Sequence, residues 1–278
     1  MSWVSPEMAR YRLASTSCRV IGRTLLHGLV IGLALLNSAN SWAADARIAV
    51  AANFRETAAA IAQHLESHSA HRYEIIAGST GKLAGQIVSG APFDVLMAAD
   101  ERRPQQLVDL GMALPDSRVI YAVGELGLWW PDATSHIAID ALELLDPREV
   151  CIANPAFAPY GEAAWALLNR SSISPEWLRR IVRVDNVNLV TGLVARKQVK
   201  AGFIARSSLI AGQRTGSVTA EPNEVLWLSD QADIAQALVV MKRARDNEAV
   251  QYWVEQLRDE AVRALISRDG YHVPREQG

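Results

Sequence analysis

Two short segments carry the most suggestive chemistry in the chain, Ala51-Ala52-Asn53-Phe54 and Gly78-Ser79-Thr80-Gly81-Lys82-Leu83. Each lies where an apolar run stops and a helical pattern begins, with Asn or Ser at the turn. The first N–H groups of a helix have no partner inside it and sit at the positive end of its dipole. Such a turn can therefore grip an anion without a formal charge. Two of them close together suggest a shared ligand. The plainer role for Asn53 and Ser79 is that of helix N-caps.

Other chemistries are excluded by what surrounds the candidate residues. Gly81-Lys82 looks like part of a phosphate-binding P-loop, but Ile76 stands where the first Gly is needed and Leu83 where the hydroxyl is needed. No G-x-G-x-x-G follows a strand, and there is no G-x-S-x-G, H-E-x-x-H or zinc-spaced Cys pair. His64, His68 and His71 fall at i, i+4 and i+7, a spacing that can chelate a metal; a polar helix end running into a Ser-rich loop is the favoured reading. Trp129, Trp130, Trp165, Trp177, Trp227 and Trp253 sit singly or in apolar runs and read as core or lobe-interface aromatics. No nucleophile with a base and an orienting group is evident, so no enzymatic activity is expected.

The elements that must position the two turns follow from periodicity. Arg47 to Ala52 reads as a strand, Arg55 to Ser67 as a helix, Tyr73 to Ala77 as a strand, Gly81 to Ser89 as a helix stopped by Gly90-Ala91-Pro92, and Phe93 to Ala99 as a strand covered on both faces. This alternation gives a parallel α/β sheet. Leu107 to Gly111 closes a further helix; Val119 to Val123 and Leu126 to Trp130 read as two strands leading away. A second block then brings a short helix at Leu142 to Leu145, strands at Glu149 to Ala153, Val182 to Val184 and Ala201 to Ala205, and helices at Gly161 to Asn169, Pro175 to Ile181 and Asn188 to Val199. Ile234 to Lys242 reads as a returning strand, with helices at Asn247 to Glu255 and Ala261 to Ser267. A first lobe interrupted by a second has two crossings, a hinge and a cleft, and clefts between domains are common ligand pockets.

The N-terminus reads as a secretory signal peptide over residues 1–44. Arg10, Arg12, Arg19 and Arg23 precede a short apolar run from Leu25 to Leu36, followed by small residues Ser41-Trp42-Ala43-Ala44. The run is shorter than the ~20 apolar residues of a membrane helix. The remaining 234 residues keep one cysteine, Cys151, so an internal disulfide is not expected. They carry 24 basic against 29 acidic residues, a net charge of −5, which argues against nucleic acid or an anionic membrane as partner.

Six strings taken together resemble the periplasmic molybdate-binding proteins of ABC transporters: Ala-Ala-Asn-Phe at 51–54, Gly-Ser-Thr-Gly-Lys-Leu at 78–83, Gly-Ala-Pro-Phe-Asp-Val at 90–95, Ala-Ala-Asp-Glu at 98–101, Asn-Pro with Ala-Pro-Tyr-Gly at 154–161, and Gly-Phe-Ile-Ala at 202–205. The resemblance spans nearly all of the chain after the leader. It implies a two-lobed α/β periplasmic-binding-protein fold, each lobe a mainly parallel sheet flanked by helices, with lobe one at 45–122 plus 230–278 and lobe two at 123–229. The implied activity is capture of molybdate, and of tungstate, in the interlobe cleft and delivery to a membrane permease by a periplasmic monomer without a cofactor. Carried over by motif, the ligand-binding residues are Asn53, Ser79 and Ala99 in lobe one and Tyr160 and Val187 in lobe two. One subtype of the family uses a late Tyr, and its position here is Ala205, which leaves Tyr160 as the hydroxyl donor. The family's late Tyr-Pro is replaced by residues 229–235.

Physical chemistry fits that ligand to those residues. A tetrahedral dianion offers only acceptors, so its pocket should offer only donors. These are the amides of the five residues, the Asn53 side-chain NH₂ and the Ser79 and Tyr160 hydroxyls. Charge-assisted bonds contribute about 1.5–3 kcal/mol each, against an association cost of about 4–15 kcal/mol. Phosphate near neutral pH retains a proton that faces donors only, which disfavours it; sulfate is rejected only by cavity size. The alternative is the same fold binding another oxyanion or a small organic acid.

Overall fold

The computed structural model describes residues 45–133, 136–228 and 232–274. The expected signal peptide at 1–44 lies outside the described residues, as do positions 229–231 at the expected return to lobe one.

Strands β1 (Ala46–Ala51), β2 (Tyr73–Gly78) and β3 (Val95–Met97) form parallel ladders in the order β2-β1-β3. Between them run helices α1 (Arg55–His68) and α2 (Thr80–Val88); α3 (Arg102–Asp109) follows β3. Helix α1 buries Ala58, Ile61, Ala62 and Leu65, the three-and-four spacing read from the sequence. Gly90 follows α2 at φ +91°, a left-handed turn that a side chain would strain.

Strand β4 (Val119–Trp129) is one unbroken eleven-residue element where the sequence suggested two strands. Its first part, Val119 to Glu125, pairs antiparallel with β9 (Asp233–Val240), and its second, Leu126 to Trp129, pairs with β7 (Ala201–Ala205). Gly124 and Glu125, which read as a break, lie inside the ladder. β5 (Val150–Ala153) pairs parallel with β6 (Val182–Val184) and with β7. The whole is a mixed α/β sheet, parallel within each lobe and antiparallel where the two crossing strands pass. Its second half carries α4 (Pro159–Leu168), α5 (Pro175–Leu178), α6 (Val187–Ala195) and α7 (Arg206–Arg214). The closing helices are α8 (Glu248–Gln256) and α9 (Glu260–Arg268).

Two elements were not anticipated. They are α7, and β8 (Val225–Trp227), which pairs with β4. Helix α7 buries Ser207 and Ser208 beside Leu209, so its inner face is mostly polar and leaves no apolar stripe to read.

The core divides accordingly. One cluster gathers Leu126, Leu128, Trp129, Ile152, Leu168, Val190 and Phe203; another gathers Ile48, Phe54, Ile61, Leu65, Met97, Leu238, Trp253 and Ile266; a third lies around Leu83, Leu96 and Leu107. Each fully buried aliphatic or aromatic side chain contributes about 1.5–3 kcal/mol, so each lobe has its own apolar support. Ala51 at the end of β1 and Ala99 two residues past β3 pack against the second-lobe cluster and mark where the lobes meet. Cys151 is a free, buried thiol, and burial pushes its pKa up to about 12.

Candidate oxyanion site

Four helix starts point at one place between the lobes. The turn Ala52–Phe54 leads from β1 into α1, Ser79 stands at the N-cap position of α2 without a side-chain cap bond, Pro159 and Tyr160 open α4, and Asn186 and Val187 open α6. They enclose a small cavity of about 10 Å³ lined by Ala51, Ala52, Asn53, Gly78, Ser79, Thr80, Ala99, Ala158, Pro159, Tyr160, Asn186 and Val187. That is room for about one water, so the lobes stand close around it. All five residues singled out in the sequence line it. None of the lining residues carries a formal charge, and the converging helix starts supply positive potential through their amides alone.

The local geometry redirects several of the expected donors. Asn53 is no N-cap: it lies within the turn, 6% exposed, and its Nδ2 donates to Gln236 Oε1 at 2.9 Å and to Tyr271 Oη at 3.1 Å. Its side-chain NH₂ is thus used inside the protein. The Ala99 amide donates to Thr80 Oγ1 at 3.1 Å, so Ala99 contributes a wall rather than a donor. The Ser79 hydroxyl donates across the cleft to the Asp185 carbonyl.

On the second-lobe side, Pro159 at the first position of α4 has no N–H to donate, and the next amide belongs to Tyr160. The Tyr160 oxygen accepts from Gln236 Nε2 at 3.4 Å. Burial pushes the Tyr160 pKa well above the usual phenol value; the Gln236 contact works the other way and is the smaller effect. The phenol therefore keeps its proton. Asn186 caps α6 by accepting from Leu189 N at 3.2 Å, which leaves the Val187 amide at the open end of the helix.

Contacts across the cleft hold the lobes together. Gly81 N donates to Phe157 O at 2.8 Å, Asn188 Nδ2 to Ala52 O at 2.7 Å, and Ser207 Oγ to Asn53 O at 3.2 Å. A Cβ on Gly81 would lie 3.0 Å from the Phe157 backbone, so any side chain there would push these segments slightly apart. Lys82 pairs with Asp185 at 2.6 Å and Arg102 with Glu162 at 2.8 Å, but both pairs are exposed and worth little. Among the described residues, no group of three or more His, Cys, Asp or Glu could hold a metal ion. His68 Nδ1 lies 2.8 Å from the His64 carbonyl, and His71 falls beyond the end of α1. A larger groove of about 680 Å³, between α8 and the start of β4, contains none of the sequence-derived site residues.

The sequence matches the family described as bacterial extracellular solute-binding protein over residues 46–272. The chain belongs to that family. Two curated relatives of this solute-binding protein, the molybdate-binding proteins ModA of Rhodobacter capsulatus and Azotobacter vinelandii, are each 32% identical to it. They match 90% and 87% of this chain and 95% of their own lengths. The solved structure of the Azotobacter vinelandii periplasmic molybdate-binding protein superposes with a TM-score of 0.70 at 27% identity, over 83% of this chain and all of that one. The solute-binding fold is thus the two-lobed α/β type expected from the sequence.

Beyond the five expected residues, others brace the cavity wall. Gln236, Tyr271, Thr80, Asn188 and Ser207 all hold site residues in place. The available signal was Gln236 itself, a lone amide within the apolar run Ile234 to Val240, because a fully buried polar side chain needs partners.

Proposed function

We propose that this protein is an extracytoplasmic receptor that captures molybdate, and tungstate, between its lobes and hands the ion to the permease of an ABC transporter. The observation that carries this reading is the uncharged cavity framed by four helix starts, in a chain whose relatives bear molybdate-binding names. The lobes are residues 45–122 with 230–278, and residues 123–229. Asn53 and Ser79 supply donors from the first lobe, Tyr160 and Val187 from the second, and Ala99 forms the floor beside them.

Capture follows from the geometry. With room for about one water, the cavity admits an oxyanion as the lobes part slightly and the Ser79 hydroxyl turns from the Asp185 carbonyl to the ion. Closure is then favoured by contacts the ion makes to both lobes at once, a population shift that needs no covalent chemistry. The protein acts as a monomer in the periplasm, needs no cofactor and catalyses no reaction. Calorimetric titration of the purified chain with sodium molybdate, sodium tungstate and sodium sulfate tests the reading. It predicts binding of both metal oxyanions in the micromolar range or tighter, and weak or no binding of sulfate. Tight sulfate binding would move the assignment to another oxyanion.

A further inference from the structure

Behind the cavity, the two crossing strands bring together a chain of buried polar groups whose hydrogen bonds lead from Tyr271 to Tyr160. Tyr271 Oη donates to the Asn53 carbonyl at 2.8 Å, so its single hydrogen is committed. The Asn53 side chain must then present its Nδ2 to Tyr271, and the same nitrogen donates to Gln236 Oε1. Tyr121 Oη also lies 3.2 Å from that oxygen, while its hydrogen has the Ala98 carbonyl as a nearer acceptor at 3.0 Å. With its Oε1 accepting from Asn53 Nδ2, the Gln236 amide turns Nε2 toward Tyr160 Oη. That nitrogen occupies a lone pair of the phenol and cannot accept its proton. The phenol hydrogen is thereby reserved for an acceptor elsewhere.

We propose that Gln236 is a positioning residue for ligand capture: it links Asn53 of one lobe to Tyr160 of the other and keeps the Tyr160 proton aimed at the bound oxyanion. This rests on the oxyanion reading above. Were the amide reversed, Oε1 would take the phenol hydrogen and Tyr160 would present a lone pair to a dianion. The glycine opposite is part of the same device. Gly124 lies on β4, and a Cβ there would fall 2.0 Å from Tyr160 Oη and 2.6 Å from Gln236 Nε2. Only a glycine leaves the space in which those two groups meet. The crossing strands thus act on the site as well as connecting the lobes, and a cavity contact on either side is felt by the other through one side chain.

A double-mutant cycle on molybdate affinity tests this. Gln236→Met keeps the side-chain shape but removes donor and acceptor, and Tyr160→Phe removes the phenol. Each single change should weaken molybdate binding about tenfold or more, while the pair should be no more than about threefold weaker than Tyr160→Phe alone. Gly124→Ala provides an independent route should Gln236→Met fold poorly. It should weaken binding about fivefold in the presence of Tyr160 and no more than about twofold beside Tyr160→Phe, where the clash with Oη is gone and only that with Gln236 is left. Circular dichroism and thermal unfolding check that each variant is folded. Losses that multiply in the cycle, or a Gly124→Ala effect that persists undiminished beside Tyr160→Phe, would overturn the positioning role while leaving the oxyanion reading intact. Failure of the unaltered protein to bind molybdate would overturn both.

Discussion

On the first-lobe side of the cavity, Asn53 is gripped by side chains from other segments: Tyr271 after α9, Gln236 on β9, and Ser207 on α7 reaching its carbonyl. On the second-lobe side, Tyr160 and Val187 are placed by where their helices begin, through Pro159 at the first position of α4 and the Asn186 cap of α6. The first arrangement is a buried network in which any lost partner strands another polar group. The second is set by backbone geometry except at the Tyr160 phenol, which meets Gln236, and tolerates side-chain change elsewhere better. A site assembled from a rigid half and a half carried by helix starts can stay preorganised and still open.

Substitutions that strike the two halves should therefore differ in severity. Asn53→Asp is the harshest, because it replaces the Nδ2 donor with a carboxylate facing Gln236 Oε1 and sets a negative charge beside a site for an anion. Molybdate affinity should fall by more than about a hundredfold in calorimetry, and a loss below about tenfold would show that the network is not critical. Gly81→Ala comes next. Its Cβ would press 3.0 Å from the Phe157 backbone, so it obstructs closure rather than folding. Affinity should drop about tenfold, with the unliganded thermal midpoint unchanged within about 2 °C. Asn186→Ala removes the cap of α6 and should cost about 1 kcal/mol in denaturant unfolding with a several-fold loss of affinity; an Asn53-sized effect would abolish the contrast between the halves.

Two further outcomes bound the small end of the scale. Lys82→Ala removes an exposed ion pair and should change affinity by no more than about threefold. Raising the pH from 6 to 9 should have no effect through Tyr160. Burial raises the pKa of Tyr160 above its unfolded value near 10, so the neutral phenol and its contribution persist below about pH 10 and are lost only as pH climbs past it. Titrations across that range check this, and a fall in affinity between pH 7 and 8 attributable to Tyr160 would contradict it.

The turns at 51–54 and 78–83 were legible in the sequence because a strand feeding a helix is a local pattern, and the parallel alternation around them gave the fold class. Tyr160 and Val187 came from motif resemblance, and the structure brings them to the same cavity. The use of individual donors was not legible, since the bonds that engage Asn53 Nδ2 and the Ala99 amide come from partners remote in sequence or from an unremarked neighbour, Thr80. The same holds for Gly124 and Glu125. A glycine beside an acid reads as a break in a strand, whereas here Gly124 makes room for Tyr160 and Gln236, and Glu125 is buried against Arg206 at 2.5 Å and His272 at 2.9 Å. Helix α7 was invisible because its buried face is built from serines that bond to Asn53 and Asn188.

An uncharged cage of donors should select a tetrahedral dianion that carries no proton. The most direct test is calorimetric titration of the purified protein with sodium molybdate at neutral pH in a large excess of phosphate. One ion should bind per chain, in the micromolar range or tighter, with the phosphate causing little competition. Absence of heat with molybdate, or its displacement by phosphate at comparable concentration, would contradict the account.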